Sequence, residues 1–188
     1  ETQKQDLIEK AIAENDRLKT LIDNIIHASR IENKGLSADK TNVDMKVVLE
    51  GIVNDSKKRH ENKMIQLETD ESVLLLVDVF MIETSINNIL ENAIKYGGAN
   101  EITIRLQKKG ESCLISIADQ GPGIKESDQN YIFNKFYRIG NEETRSKKGS
   151  GLGLYIAKQF VQLHGGDVFY HKNKPVGSIF TISLPYGR

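Results

Sequence analysis

The first 34 residues contain neither proline nor glycine, and apolar side chains recur through them at seven-residue spacing. Ala11, Leu18 and Ile25 form one row. Leu21 and Ala28, with Leu7 two heptads upstream, form a second, and Ile8, Ile12, Ile22 and Ile26 widen the stripe. The spacing predicts one long helix over 3–33. Its apolar face is broader than the seam of a two-stranded coil and suits a four-helix bundle. A lone helix cannot bury such a face, so dimerisation through it is expected. Gly35 is the expected stop, and 35–43 reads as a linker.

Beyond the linker, helical and strand patterns mix. Asp44 is placed to cap a helix running to about His60, with Val47, Val48, Ile52 and Val53 inside. Short strands fit Ile65–Thr69 and Val73–Val77. Asp78 is placed to cap a helix from Val79 to about Tyr96, closed by Gly97-Gly98. Ile102, Ile104 and Leu106 alternate with polar residues, as do Cys113, Ile115 and Ile117, which predicts a hairpin through Lys109-Gly110. Residues 138–153 are glycine-rich and charged, without periodicity. A helix from about Leu152 to His164, stopped by Gly165-Gly166, and strands near 167–171 and 178–184 complete the chain. The expected fold is α+β: a two-layer α/β sandwich, one mixed, mainly antiparallel sheet with helices on one face, preceded by the long bundle helix. The expected division is a partial bundle domain over 1–34, a linker over 35–43 and a second domain over 44–188.

Composition narrows the function classes. Lys plus Arg number 26 and Asp plus Glu number 26, so the net charge is zero. The basic footprint that carries non-specific nucleic-acid binding is missing. The single cysteine, Cys113, excludes an internal disulfide. The longest apolar run, Val73–Val77, falls far short of the ~20 residues a membrane helix needs. The chain begins with Glu rather than Met and is read as part of a longer protein.

Four clusters carry residues suited to chemistry. In the first, Asn88, Asn92, Lys95 and Tyr96 share one face of the 79–96 helix, opposite Ile82, Ile86, Ile89, Leu90 and Ala93. A carboxamide oxygen is a hard neutral ligand for Mg²⁺, and a lysine is a point charge for phosphate. The plainer reading is a solvated polar face. In the second, Asp119-Gln120-Gly121-Pro122-Gly123-Ile124 follows a buried strand; its glycines admit close backbone approach, and Asp119 can accept from an exocyclic amine. The plainer reading is a strand-ending turn. In the third, Gly149-Ser150-Gly151-Leu152-Gly153-Leu154 opens a helix whose free N–H groups favour anions. The fourth, Ile132-Phe133-Asn134-Lys135-Phe136-Tyr137-Arg138, anchors the glycine loop or is a plain packing cluster.

In this order the clusters resemble the ATP-binding catalytic domain of sensor histidine kinases, in the superfamily that includes gyrase, the Hsp90 chaperones and MutL. The resemblance covers about 41–187. Asn88–Tyr96 is similar to the N box, Asp119–Gly123 to the first glycine box, Phe133–Arg138 to the F box and Gly149–Gly153 to the second glycine box. Leu21–Glu32 resembles the second helix of the family's dimerisation bundle. The resemblance implies that Asn92 holds Mg²⁺ against the ATP phosphates and that Lys95 and Arg138 neutralise the transferring group. It implies that Asp119 reads the adenine amine, that Tyr96 packs beside the ring and that Thr181 helps hold the base through a water. The ATP lid would span about Ile139 to Leu152. The implied nucleotide-binding set is Asn88, Asn92, Lys95, Tyr96, Asp119, Gly121, Gly123, Ile124, Tyr137, Arg138, Gly149, Ser150, Gly151, Leu152, Gly153, Leu154 and Thr181, with Lys95, Arg138 and Asn88 as the catalytic residues.

ATP and Mg²⁺ are thus the implied cofactors, and a response-regulator receiver domain and a second copy of the chain the implied partners. A cytoplasmic place for this segment is implied, whether or not the whole protein is anchored in the cell membrane. Gyrase, Hsp90 and related serine kinases carry a catalytic Glu where this chain has Asn88. An amide cannot take a proton as a carboxylate does, which argues against an efficient ATPase. Glu91 is a carboxylate nearby, at a different angle on the helix. The alternatives are a superfamily ATPase or a nucleotide-sensing module without kinase activity. The sequence departs from the family in three places. The phosphoacceptor motif is absent, and His27 precedes Ala28 rather than an acidic residue. The last glycine box is reduced to Gly177-Ser178. Met81 stands where many relatives have Arg.

Overall fold

The computed structural model describes residues 2–33, 35–69, 71–98, 101–140 and 149–186. Its elements are α1 (Thr2–Glu32), β1 (Thr41–Asp44), α2 (Met45–Arg59), β2 (Ile65–Thr69), β3 (Leu74–Val77), α3 (Val79–Tyr96), β4 (Ile102–Lys109), β5 (Ser112–Ala118), α4 (Glu126–Gln129), α5 (Gly153–Leu163), β6 (Asp167–Lys172) and β7 (Ser178–Pro185). They fall into two compact units, Glu1–Leu36 and Ser37–Arg188.

The first unit is α1. It keeps Leu7, Ile8, Ile12, Leu18, Ile22, Ile25 and Ile26 exposed, the stripe read from the heptads. The helix ends at Glu32, before Gly35, and Asn33 donates to the Ser29 carbonyl from both its backbone and its side chain.

In the second unit, both expected caps form. Asp44 accepts from the Lys46 N–H at 2.9 Å and Asp78 from the Met81 N–H at 3.1 Å, each from extended backbone. These bonds satisfy donors that have no partner inside the helix. α2 buries Met45, Leu49, Ile52, Val53 and Ser56, a stripe at i, i+4, i+7, i+8 and i+11. Val47, expected inside, is exposed, because it lies on the far side of that stripe. α3 buries Ile82, Ile86, Ile89, Leu90 and Ala93 as expected.

The main sheet has the order β2-β4-β5-β7-β6, with β2 parallel to β4 and every other pair antiparallel. One face presents Ile65, Ile104, Ile115, Ile117, Val168, Phe180 and Ile182 to α2, α3 and α5, forming the core. The two-layer sandwich is therefore as expected, with one correction. β3 leaves the main sheet and pairs antiparallel with β1, Thr41 opposite Val77 and Asp44 opposite Leu74. Residues 41–43 are consequently strand rather than linker. Pairing satisfies the β3 backbone at a point where the main sheet already has its own edge strands.

Candidate functional site

α3 presents its polar face to the second glycine segment. A Cβ on Gly153 would lie 3.2 Å from Asn88 Oδ1, and one on Gly149 would lie 2.9 Å from Lys95 Nζ. The segment thus runs antiparallel to α3, with Asn92 between the two contacts. Any side chain at these glycines would enter the space in front of the helix. Two carboxamides lie on this face of α3. Asn88 Nδ2 is buried and unbonded, and Asn92, one turn on, is half-buried. α5 starts directly behind at Gly153, with no side-chain cap on its first turn. An uncapped helix start, a lysine and two carboxamides form a site suited to phosphate with a hard cation. No cluster of three or more His, Cys, Asp or Glu side chains among the described residues could hold a metal. The site offers a hard cation an amide oxygen, and phosphate and water would have to supply its other ligands.

The first glycine segment packs on the C-terminal end of α3. Asp119 is buried, its Cβ is 3.0 Å from where a Gly97 Cβ would be, and Gly121 packs on the Tyr96 carbonyl. Asp119 Oδ1 accepts from the Gly121 N–H at 2.8 Å and the Ser178 N–H at 3.3 Å. Both backbone bonds go to this one oxygen, which leaves Oδ2 outside them. Burial pushes the Asp119 carboxyl above its ordinary value, against the lowering pull of the Gly121 and Ser178 donors. From Asn88 to Gly97 the helix rises roughly 14 Å, so Asn88 and Asp119 are set apart along its axis, with Lys95 near the Asp119 end. Tyr96 is exposed there, with Lys95 Nζ 5.0 Å from its ring centre.

The aromatic segment fastens the glycine loop. The Phe136 N–H donates to the Gly151 carbonyl at 3.0 Å, and Phe136 adopts φ 63°, rare for a bulky side chain. A Cβ on Gly151 would lie 2.7 Å from the Phe136 carbonyl carbon, so only glycine fits there. Tyr137 donates its hydroxyl to Asp128 Oδ1 at 2.6 Å, tying the segment to α4, an element without a periodic signal. Arg138 is half-buried immediately after Tyr137. Ser150 Oγ accepts from the Leu152 N–H at 3.3 Å, Leu152 is buried, and Leu154 packs partly on the core. The lid expected over 139–152 falls largely on 141–148, outside the described residues.

One sequence expectation changes. Thr181 does not join the cluster. It bonds Ser116 at 3.0 Å on the sheet face opposite Phe180 and Ile182, because strand side chains alternate and Asp119 follows the other parity. The β7 residue beside Asp119 is Ser178, whose carbonyl also accepts the Asp119 N–H at 2.9 Å. Glu91 turns away from the cleft toward α2, 3.5 Å from Arg59 and 3.4 Å from His60. Gly177, read as a reduced motif, packs so tightly on the Asp119 carbonyl that no Cβ fits, and it adopts φ 121°. Two further residues grip the first glycine segment. Tyr170 Oη accepts from the Ile124 N–H at 3.0 Å, and Asn173 Nδ2 donates to the Asp119 carbonyl at 2.9 Å. A glycine at the start of a strand was a usable signal for close approach; nothing in the local pattern marks Tyr170 or Asn173. Met81 is buried, with its carbonyl accepting from Ser85 Oγ at 2.8 Å.

Residues 78–188 match the family described as "Histidine kinase-, DNA gyrase B-, and HSP90-like ATPase". The sensor-like histidine kinase SenX3 of Mycolicibacterium smegmatis is 32% identical over 180 residues, covering 94% of this chain and 47% of that protein. The sensor histidine kinase WalK of Bacillus subtilis is 30% identical over 178 residues, covering 92% of this chain and 29% of that one. The chain therefore spans about half or less of the length of these curated relatives. Among solved structures, the Acinetobacter baumannii histidine kinase AdeS superposes with TM-score 0.77 at 25% identity, covering 96% of this chain and 84% of that one. The catalytic domain of histidine kinase ThkA superposes with TM-score 0.69 at 25% identity, covering 80% and 99%. With a family match over 78–188, more than half of its length, the chain belongs to the histidine kinase-, DNA gyrase B- and HSP90-like ATPase family and carries the ATP-binding catalytic domain of a sensor histidine kinase.

Proposed function

We propose that this chain binds ATP between α3 and the 149–153 segment and transfers its γ-phosphoryl to a histidine on a bundle helix, for relay to an aspartate of a response-regulator receiver domain. The observation that carries this reading is the pair of contacts that set Asn88 and Lys95 against Gly153 and Gly149, with Asp119 packed beyond Lys95 at the C-terminal end of α3. Phosphoryl transfer needs positioning and charge neutralisation rather than covalent chemistry from the protein. Lys95, Arg138 and the α5 N-terminus place positive charge and donors at the phosphate end. Asn92 offers its carboxamide oxygen to Mg²⁺, which when bound neutralises phosphate charge. Asp119 Oδ2 accepts from the adenine amine, while Tyr96 flanks the ring. Asn88 provides no general base, consistent with a nucleophile supplied by the acceptor imidazole.

That acceptor is not one of this chain's own histidines. His164 is buried with both ring nitrogens bonded, His60 pairs with Glu91, and His171 is an exposed residue of β6. His27 lacks the adjacent acidic residue. The exposed stripe of α1 supports association with further helices, the partner being a second copy of the chain. The test is label transfer from γ-labelled ATP to an isolated bundle domain bearing the acceptor histidine, added in trans. Expected are Mg²⁺-dependent labelling of that domain and none of this chain. Labelling of this chain alone, or steady hydrolysis without transfer, would overturn the reading.

A further inference from the structure

Beyond the family's boxes, the first glycine segment is held by two polar side chains from the far edge of the sheet. Tyr170 lies on β6 opposite Phe180, with ring centres 5.4 Å apart, and its hydroxyl accepts from the Ile124 N–H at 3.0 Å. Asn173 begins the β6–β7 turn. Its Oδ1 accepts from the Lys174 N–H at 2.9 Å, its backbone N–H donates to the Gly177 carbonyl at 3.0 Å, and its Nδ2 donates to the Asp119 carbonyl at 2.9 Å. The turn is thereby folded on itself and aimed at Asp119. The two bonds reach opposite ends of 119–124, the segment whose carboxylate faces the base end of the cleft. We propose that Tyr170 and Asn173 are positioning residues: together they set the orientation of the Asp119 carboxylate and so determine discrimination for a purine with a 6-amino group. This rests on the reading of Asp119 as the adenine acceptor. The physical reason is leverage. A hydrogen bond to a carboxylate is sensitive to direction, and between buried Asp119 and core-packed Ile124 the segment carries two glycines that leave its course to hydrogen bonds.

The test compares Mg²⁺-ATP with Mg²⁺-purine riboside triphosphate, which lacks only the 6-amino group, by calorimetry on the 188-residue chain. Tyr170→Phe deletes the acceptor without changing the ring, and Asn173→Asp deletes the donor while keeping Oδ1 for the turn. Wild type is expected to favour ATP by about tenfold or more, the range for a hydrogen bond to a charged group. Each variant is expected to lose most of that ratio, through weaker ATP binding with the purine analogue unchanged. Circular dichroism melting checks that both variants fold; if Asn173→Asp does not, Tyr170→Phe alone decides. Variants that keep the wild-type ratio, or lose affinity for both nucleotides equally, would overturn the positioning role and leave the Asp119 reading intact. A wild type without preference would instead overturn the Asp119 reading and this proposal with it.

Discussion

At the scale of single residues, the base end of the cleft separates binding from stability. Asp119 is buried with its carboxyl raised, so the folded state favours its neutral form. Its contribution to stability is fully present below the unfolded carboxylate value and is lost as pH rises through the higher folded value. At pH 7 its ionisation works against folding. Asp119→Asn keeps Oδ1 for Gly121 and Ser178 and replaces the acceptor outside those bonds by a donor. We expect an unchanged or higher melting temperature together with a loss of ATP affinity of about tenfold or more. Calorimetry showing undiminished affinity would remove Asp119 from base recognition. Gly177 behaves oppositely. At φ 121° and against the Asp119 carbonyl, an alanine would have to displace that backbone. Gly177→Ala should cost at least about 2 kcal/mol, lowering the melting temperature by roughly 5 °C or more, and weaken nucleotide binding as well. Full stability in that variant would show that the contact is slack. Asp119 was readable from its place after an alternating strand. Ser178, which replaces Thr181 beside it, was not, because the parity of β7 against β5 is a register and registers are set between strands.

At the scale of elements, α3 and α5 are joined at both ends. Asn88 meets Gly153 near the cleft, and Ser85 Oγ lies 3.4 Å from the Ala157 carbonyl at the crossing. At the far end His164, at the C-terminus of α5, accepts the Asp78 N–H on Nε2 at 2.9 Å and donates from Nδ1 to the Phe160 carbonyl at 2.7 Å. Only the neutral ring can do both. Burial holds the His164 pKa below its ordinary value against the raising pull of the Phe160 carbonyl, with Lys40 lowering it further and Asp78 opposing. A base with a depressed folded pKa contributes stability above its unfolded value, about 6.5, and that stability is lost as pH falls through the folded value. The urea midpoint of wild type should therefore fall more between pH 7.5 and 5.0 than that of His164→Gln, which cannot titrate there. The variant should be less stable by about 1–2 kcal/mol at pH 7.5, from the unsatisfied Asp78 N–H. Parallel pH dependences would place the titration elsewhere. Both caps and the α3 stripe were legible, since caps and periodicity are local. The outward turn of Val47 was not, because two overlapping apolar stripes fit α2 and the neighbouring sheet selects one.

At the scale of the whole molecule, the division at Leu36/Ser37 separates a helix with an exposed apolar stripe from a unit holding its own core and cleft. Residues 37–188 alone should melt cooperatively and bind Mg²⁺-ADP with unchanged affinity, since every cleft contact described above lies within them. The same residues should sediment as a monomer, while the 188-residue chain self-associates through α1. Loss of nucleotide affinity on removing α1 would show that the cleft depends on it. The amino-acid sequence by itself determined the long helix, the caps, the alternating strands and the four chemical clusters with their order. Each of those depends on neighbours within one turn or one pleat. Tertiary structure alone decided that β1 takes β3 out of the main sheet, that Ser178 rather than Thr181 stands at Asp119, that Glu91 serves α2, and that Tyr170 and Asn173 reach the 119–124 segment. Those outcomes depend on strand register and on contacts between residues about thirty to sixty apart, where loop geometry, not local preference, decides which side chains meet.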